Sequence, residues 1–329
     1  MDAPDLLDDF YLHQLDWSCN NHLAVSLHDA LYIWNAADGS IVELFSKSSQ
    51  NEEAGNDDYI SSVSWIKEGN ILAVGDSQGA IQLWDVTNSK LMRCMRGHTD
   101  RIATLDWNEH ILASGSRSGA VHLHDVRVAE HHVGTLAAHT QEVCGMQWSP
   151  DRGRLLATGG NDNQVMVWDG RSAGSPIHTL SAHQAAVKAI SWCPWQPKTL
   201  ASGGGTNDRE IRFWNSVTGT CINSVDTGSQ VCGILWNEEY KEIVTGHGFS
   251  HNQLTVWKYP AMTKVADLKG HTSRVLLLMK SPDGTTVASA AGDETIRLWN
   301  IWPHNDKKIE QRKKSNEPVS LFSQQRGIR

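Results

Sequence analysis

Apolar residues in this chain fall in short runs divided by clusters of glycine, aspartate, asparagine, serine and proline. Residues 270–300, GHTSRVLLLMKSPDGTTVASAAGDETIRLWN, show the pattern most completely. A Gly270-His271 pair opens the stretch and an apolar run follows over 275–279. A turn containing Pro282, Asp283 and Gly284 leads to a second run over 286–291. The tight Gly292-Asp293-Glu294 turn then feeds a third run that closes on Trp299-Asn300. Runs of this length, bounded by turn residues and without helical spacing, predict antiparallel hairpins.

The unit recurs. Trp34, Trp84, His124, Trp168, Trp214, Trp257 and Trp299 share the closing position, at gaps of 50, 40, 44, 46, 43 and 42 residues. Trp17, Trp65, Trp107, Trp148, Trp192, Trp236 and Met279 end the first apolar run of each unit. His98, His139, His183 and His271 mark the opening of four units. A spacing near ~40–45 residues with Gly-His and Trp-Asp marks is that of WD40 blades. One blade cannot bury both faces of its sheet, so blades stack around an axis and the ring closes. The prediction is an all-β, seven-bladed WD40 β-propeller over residues 1–302, followed over 303–329 by a flexible, disordered basic tail.

The ends and one insertion modify this picture. The first residues stand too close to blade one to lend a full strand to the last blade, and the chain turns polar soon after Trp299. Blade seven is therefore expected to be short of its outer strand, as in a longer natural protein that has lost its N-terminal part. Residues 46–58, SKSSQNEEAGNDD, account for the widest gap and read as a polar surface loop. A net charge of −8 gives no general nucleic-acid signature. Cys19, Cys94, Cys144, Cys193, Cys221 and Cys232 show no paired spacing, and several fall in expected strands. Buried, reduced thiols and a nuclear or cytoplasmic setting follow. No apolar run approaches the ~20 residues that span a bilayer, so no membrane partner is expected.

Candidate chemistry is sparse. His131 and His132 are adjacent, and on a strand they would point to opposite faces and share no metal ion. Gly203-Gly204-Gly205-Thr206 lacks the lysine and helix N-terminus of a phosphate loop and reads as a hairpin turn. No nucleophile elbow, paired catalytic carboxylates or metalloprotease motif occurs, so neither catalysis nor a cofactor is expected. Aspartates and histidines near the blade turns fit the hydrogen-bond relay of WD40 blades. The tail ends on Ile328-Arg329, an apolar side chain, a guanidinium and a carboxylate that a cleft can capture.

Several strings carry a closer likeness: DAPDLLDDFYL, DVRVAEHHVGTL, GGNDN, VKAISWCPWQPKTLASGGGTNDREIRFWN and KGHTSRVLLL. Over nearly its whole length the chain resembles the Fizzy family, WD40 co-activators of the anaphase-promoting complex, a ubiquitin ligase. DVRVAEHH favours the Fizzy over the Fizzy-related branch. The resemblance implies capture of degradation motifs, with substrates such as cyclins and securin and with spindle-checkpoint proteins as further partners. It places a Lys-Glu-Asn motif on one propeller face at Asp9, Asn161, Thr206, Gln230 and Arg274. Chemically, Asp9 suits the motif's lysine, Arg274 its glutamate, and the three polar residues an amide. A destruction box, Arg-x-x-Leu, falls at the seam of first and last blades, with Asp2 and Glu294 facing its arginine. Ile328-Arg329 is similar to the family's tail, which docks on helical-repeat subunits of the ligase. The family's long N-terminal arm, which activates the ligase, has no counterpart in this sequence. Two other readings stand beside this one: a competitor that binds motifs without activating, and a general WD40 scaffold.

Overall fold

The computed structural model describes residues 1–50, 58–172 and 174–303. Ile328, Arg329 and most of the 46–58 insertion lie outside the described residues. Six four-stranded sheets and one three-stranded sheet are all antiparallel, with strands in chain order. The inner strands are Leu15–Trp17, Ile60–Trp65, Ile102–Asn108, Val143–Trp148, Val187–Trp192, Val231–Asn237 and Val275–Lys280. Each packs on the next, and the first meets the last, so the ring closes at seven blades. Inner strands are buried on both faces, which is why they read as continuous apolar runs. Outer strands such as Thr220–Asp226 stand largely in solvent.

The anchor tryptophans tie each blade to the one before it. Trp65 donates its indole N–H to the Asp16 carbonyl (3.2 Å), Trp107 to Ser64 (3.1 Å) and Trp148 to Asp106 (3.3 Å). Trp192 donates to Gln147 (3.0 Å) and Trp236 to Ser191 (3.3 Å). Every acceptor immediately precedes the anchor of the previous blade. Blade seven has Met279, which lacks an N–H, and there Lys280 Nζ donates to the Trp236 carbonyl (2.8 Å) instead. Apolar contact fills the space outside these bonds, as where Phe45 stacks on Trp84 at 4.4 Å between blades one and two.

Within blades four, five and seven the expected relay is complete. His183 bridges Asp208 (2.6 Å) and Ser202 (2.6 Å), and Ser202 Oγ accepts the Trp214 indole N–H (2.7 Å). His139 links Asp162, Thr158 and Trp168, and His271 links Asp293, Ser289 and Trp299. Gly204 is required beside Asp208, because a Cβ there would collide with the carboxylate. Gly203 and Gly204 therefore end a strand, Thr199–Gly204, and the turn begins only at Gly205.

Four other features refine the sequence reading. Blade seven has three strands, and among the described residues its edge is covered by residues 1–3: Asp2 pairs with Thr295, and Ala3 N–H donates to the Glu294 carbonyl (2.8 Å). The 46–58 segment is not simply a surface loop at its ends, since buried Lys47 bonds Asp58 (2.6 Å) and Asp76 (2.8 Å). Cys144, Cys193 and Cys232 are buried as expected, whereas Cys19, Cys94 and Cys221 are exposed; all six are free. The rings of His131 and His132 do not diverge. His131 lies before the strand His132–Ala137, so the alternation of faces does not reach it, and both rings pack on the same cluster of histidines.

Replacing His183 with alanine strips the buried Asp208 and Ser202 of their shared partner. The expected loss is ~3 kcal/mol or more of stability, measured by urea unfolding. A loss below ~1 kcal/mol would show that the relay contributes little.

Candidate functional site

In blades two to seven the inner strand carries a register shift near its start, leaving one residue unpaired. In blade five that residue is Lys188. Its side chain is fully enclosed, and Nζ donates to the carbonyls of Leu12 (2.9 Å) and Leu276 (2.8 Å). Phe10 lies 5.6 Å beneath the same ammonium. Desolvation pushes Lys188 down to about 8. Among the described residues, its direct contacts are two carbonyls and a ring face. The bonds fix residues 8–13 across the ring between blades five and seven. His13 adds main-chain bonds to Ser61 and Val63 of blade two, and its Nε2 meets the Cys144 carbonyl at 2.6 Å.

The strapped segment forms one wall of a cavity of about 630 Å³. Asp9, Asn161, Thr206, Gln230 and Arg274 all line it. Asn161 follows the second strand of blade four and Thr206 that of blade five. Gln230 and Arg274 directly precede the inner strands of blades six and seven. A propeller puts these turns and strand entries at one end of every blade, so residues far apart in sequence converge.

The polar groups are already bonded among themselves. Arg101 grips Glu142 with Nε (2.7 Å) and Nη2 (2.9 Å), and its Nη1 reaches Asp9 Oδ2 (2.8 Å) and Tyr59 (3.1 Å). Burial opposes the Arg101 charge, but the bonds to Glu142 and Tyr59 and the charges of Glu142 and Asp9 outweigh it and hold its pKa above the ordinary value. Asp9, 31% exposed, is thus not a vacant carboxylate. Arg274 donates from Nε to Asp8 Oδ1 (2.6 Å) and from Nη2 to the Asp8 carbonyl (2.7 Å), bonds that leave Nη1 out. Tyr11 donates to Asn161 (2.9 Å), Asn161 to Gln141 (2.7 Å) and Thr206 to Gln230 (2.8 Å). Burial raises the Tyr11 hydroxyl, with nearby Cys144, Glu142 and Asp9 adding to it, so it stays a donor.

Sequence reasoning missed Asp8, Arg101, Glu142 and Lys188. The signal for two of them was register. Arg101 and Glu142 directly precede their inner strands, as Gln230 and Arg274 do. Asp2 and Glu294 come together elsewhere, flanking the pairing of residues 1–3 with blade seven. Both are exposed, and Asp2 lines a separate surface hollow with Arg297 and Trp299.

Residues 1–299 match the family model described as the CDC20/Fizzy WD40 domain. The chain belongs to this family. It is 52% identical over 329 residues to the anaphase-promoting complex subunit cdc20 of Dictyostelium discoideum, covering all of this chain and 64% of that protein. It is 50% identical over 303 residues to Protein FIZZY-RELATED 3 of Arabidopsis thaliana, covering 92% and 61%. A chain in the crystal structure of the mitotic checkpoint complex superposes with a TM-score of 0.87 at 46% identity, over 92% of this chain and 91% of that one. Both branch names match at similar identity, so the comparison shows the family rather than the branch that DVRVAEHH favours.

Replacing Lys188 with methionine leaves the Leu12 and Leu276 carbonyls without their donor. Amide exchange over residues 8–13 is expected to accelerate about tenfold or more, read by hydrogen-exchange mass spectrometry. Unchanged protection would show that the strap is held by other contacts.

Proposed function

We propose that this propeller is the motif-reading part of a co-activator of the anaphase-promoting complex, one that captures short degradation signals and docks on the ligase. The carrying observation is that five residues matched to a Lys-Glu-Asn reader, drawn from four blades and the N-terminal segment, line one cavity. The cavity chemistry supports that ligand. A lysine ammonium can pair with the carboxylate of Asp9, which lines the cavity. A glutamate can take the guanidinium of Arg274 in exchange for Asp8. Asn161, Thr206 and Gln230 supply donors and acceptors for an asparagine amide. A destruction box is assigned to the seam beside Asp2 and Glu294, and ligase docking to Ile328-Arg329. The relatives' names, an anaphase-promoting complex subunit and Fizzy-related proteins, fit this role. Six free cysteines accord with the reducing nucleus and cytoplasm where such a protein would work.

Fluorescence polarisation with a labelled Lys-Glu-Asn peptide tests the reading. Arg274→Ala should weaken binding about tenfold or more, ~1.4 kcal/mol, and leave an Arg-x-x-Leu peptide unaffected. Failure of the unsubstituted chain to bind either peptide overturns the proposal.

Removal of Ile328-Arg329 should reduce recovery of purified ligase on immobilised chain while peptide affinity stays constant. Equal recovery would remove the docking role of the tail.

A further inference from the structure

Blade three departs from the relay at two positions. His124 stands where other blades close on tryptophan, and Ser118 where blade four places Asp162 and blade seven Asp293. His98 still bonds Ser114 through Nε2 (2.7 Å), but among the described residues no acid meets its Nδ1. That atom is buried and unpartnered, and so is Nδ1 of His122. The two rings stack at 3.8 Å, and His132 stacks on His122 at 4.4 Å. Ser114 Oγ also bonds His124 Nε2 (2.9 Å), while His124 Nδ1 faces His131 Nδ1 at 3.0 Å. Five imidazoles thus share one corner of the blade.

We propose that His98, His122 and His124 form a site for a divalent transition ion of the zinc class, with the fourth position open to solvent. Each of the three brings a ring nitrogen within 4.8 Å of the other two. A tetrahedral ion with bonds of ~2.0–2.1 Å needs its nitrogens ~3.4 Å apart. The rings therefore close in by rotation: the His98–His122 stack opens, and His124 gives up its contact with His131. Ser114, bonded to Nε2 of both His98 and His124, ties these two rings together as a hydrogen-bonding group beside the site. An all-imidazole set suits zinc, cobalt, nickel and copper rather than calcium or magnesium. Exposed His132 marks the way in from solvent.

Titration of the untagged chain with Co²⁺, followed by visible absorption, tests the site. One equivalent should bind with tetrahedral bands, show no thiolate charge transfer and be displaced by Zn²⁺. His98→Gln and His122→Gln should each weaken binding at least tenfold, and His28→Gln should not. Absence of saturable binding, a thiolate band, or full affinity in either cluster variant overturns the proposal. If a variant fails to melt cooperatively, pulsed electron paramagnetic resonance of Cu²⁺ on the unsubstituted chain decides. Three or more imidazole ligands support the site, and fewer overturn it.

Discussion

Much of the candidate reading face depends on one enclosed ammonium. Among the described residues no carboxylate bonds Lys188; its ammonium is received by the carbonyls of Leu12 and Leu276 and by the Phe10 face. Burying a charge this way is costly, and here it turns a stretch of irregular chain into a fixed wall. Without the strap, Asp8, Asp9 and Tyr11 would have no set position, and the polar residues of blades four to seven would surround an open mouth.

The same logic explains why the cavity forms on this face. A register shift repeated near the start of the inner strands of six blades frees one residue per blade, and the residue directly before each strand meets the rim. Glu142, Gln230 and Arg274 are equivalent positions that carry different chemistry. A repeated backbone can therefore present an unrepeated set of side chains. Conformity elsewhere, in the indole-to-carbonyl chain and the histidine relays, keeps that backbone constant while the rim varies.

Ring and blade count were legible in the chain because anchor and closing residues repeat through it. Trp148 and Trp168 each do a local job that the sequence states directly. The convergence of Asn161 and Arg274 was reached through family likeness, since 113 positions separate them and no local pattern links them. Their internal partners were not legible. That Asp9 answers Arg101, and Asp8 answers Arg274, depends on how the strap crosses the ring. The His131-His132 pair misled for a related reason: alternation of faces holds inside a strand, and His131 lies before the strand that His132 opens.

The Asp8–Arg274 pair gives this face a resident occupant. A visiting carboxylate gains only the difference between its own contact and the one it displaces, so charge alone confers little advantage. A visitor must satisfy several rim groups together before the exchange becomes favourable. Under the proposed role, this exchange would favour a peptide that answers several rim groups at once over one that offers a carboxylate alone.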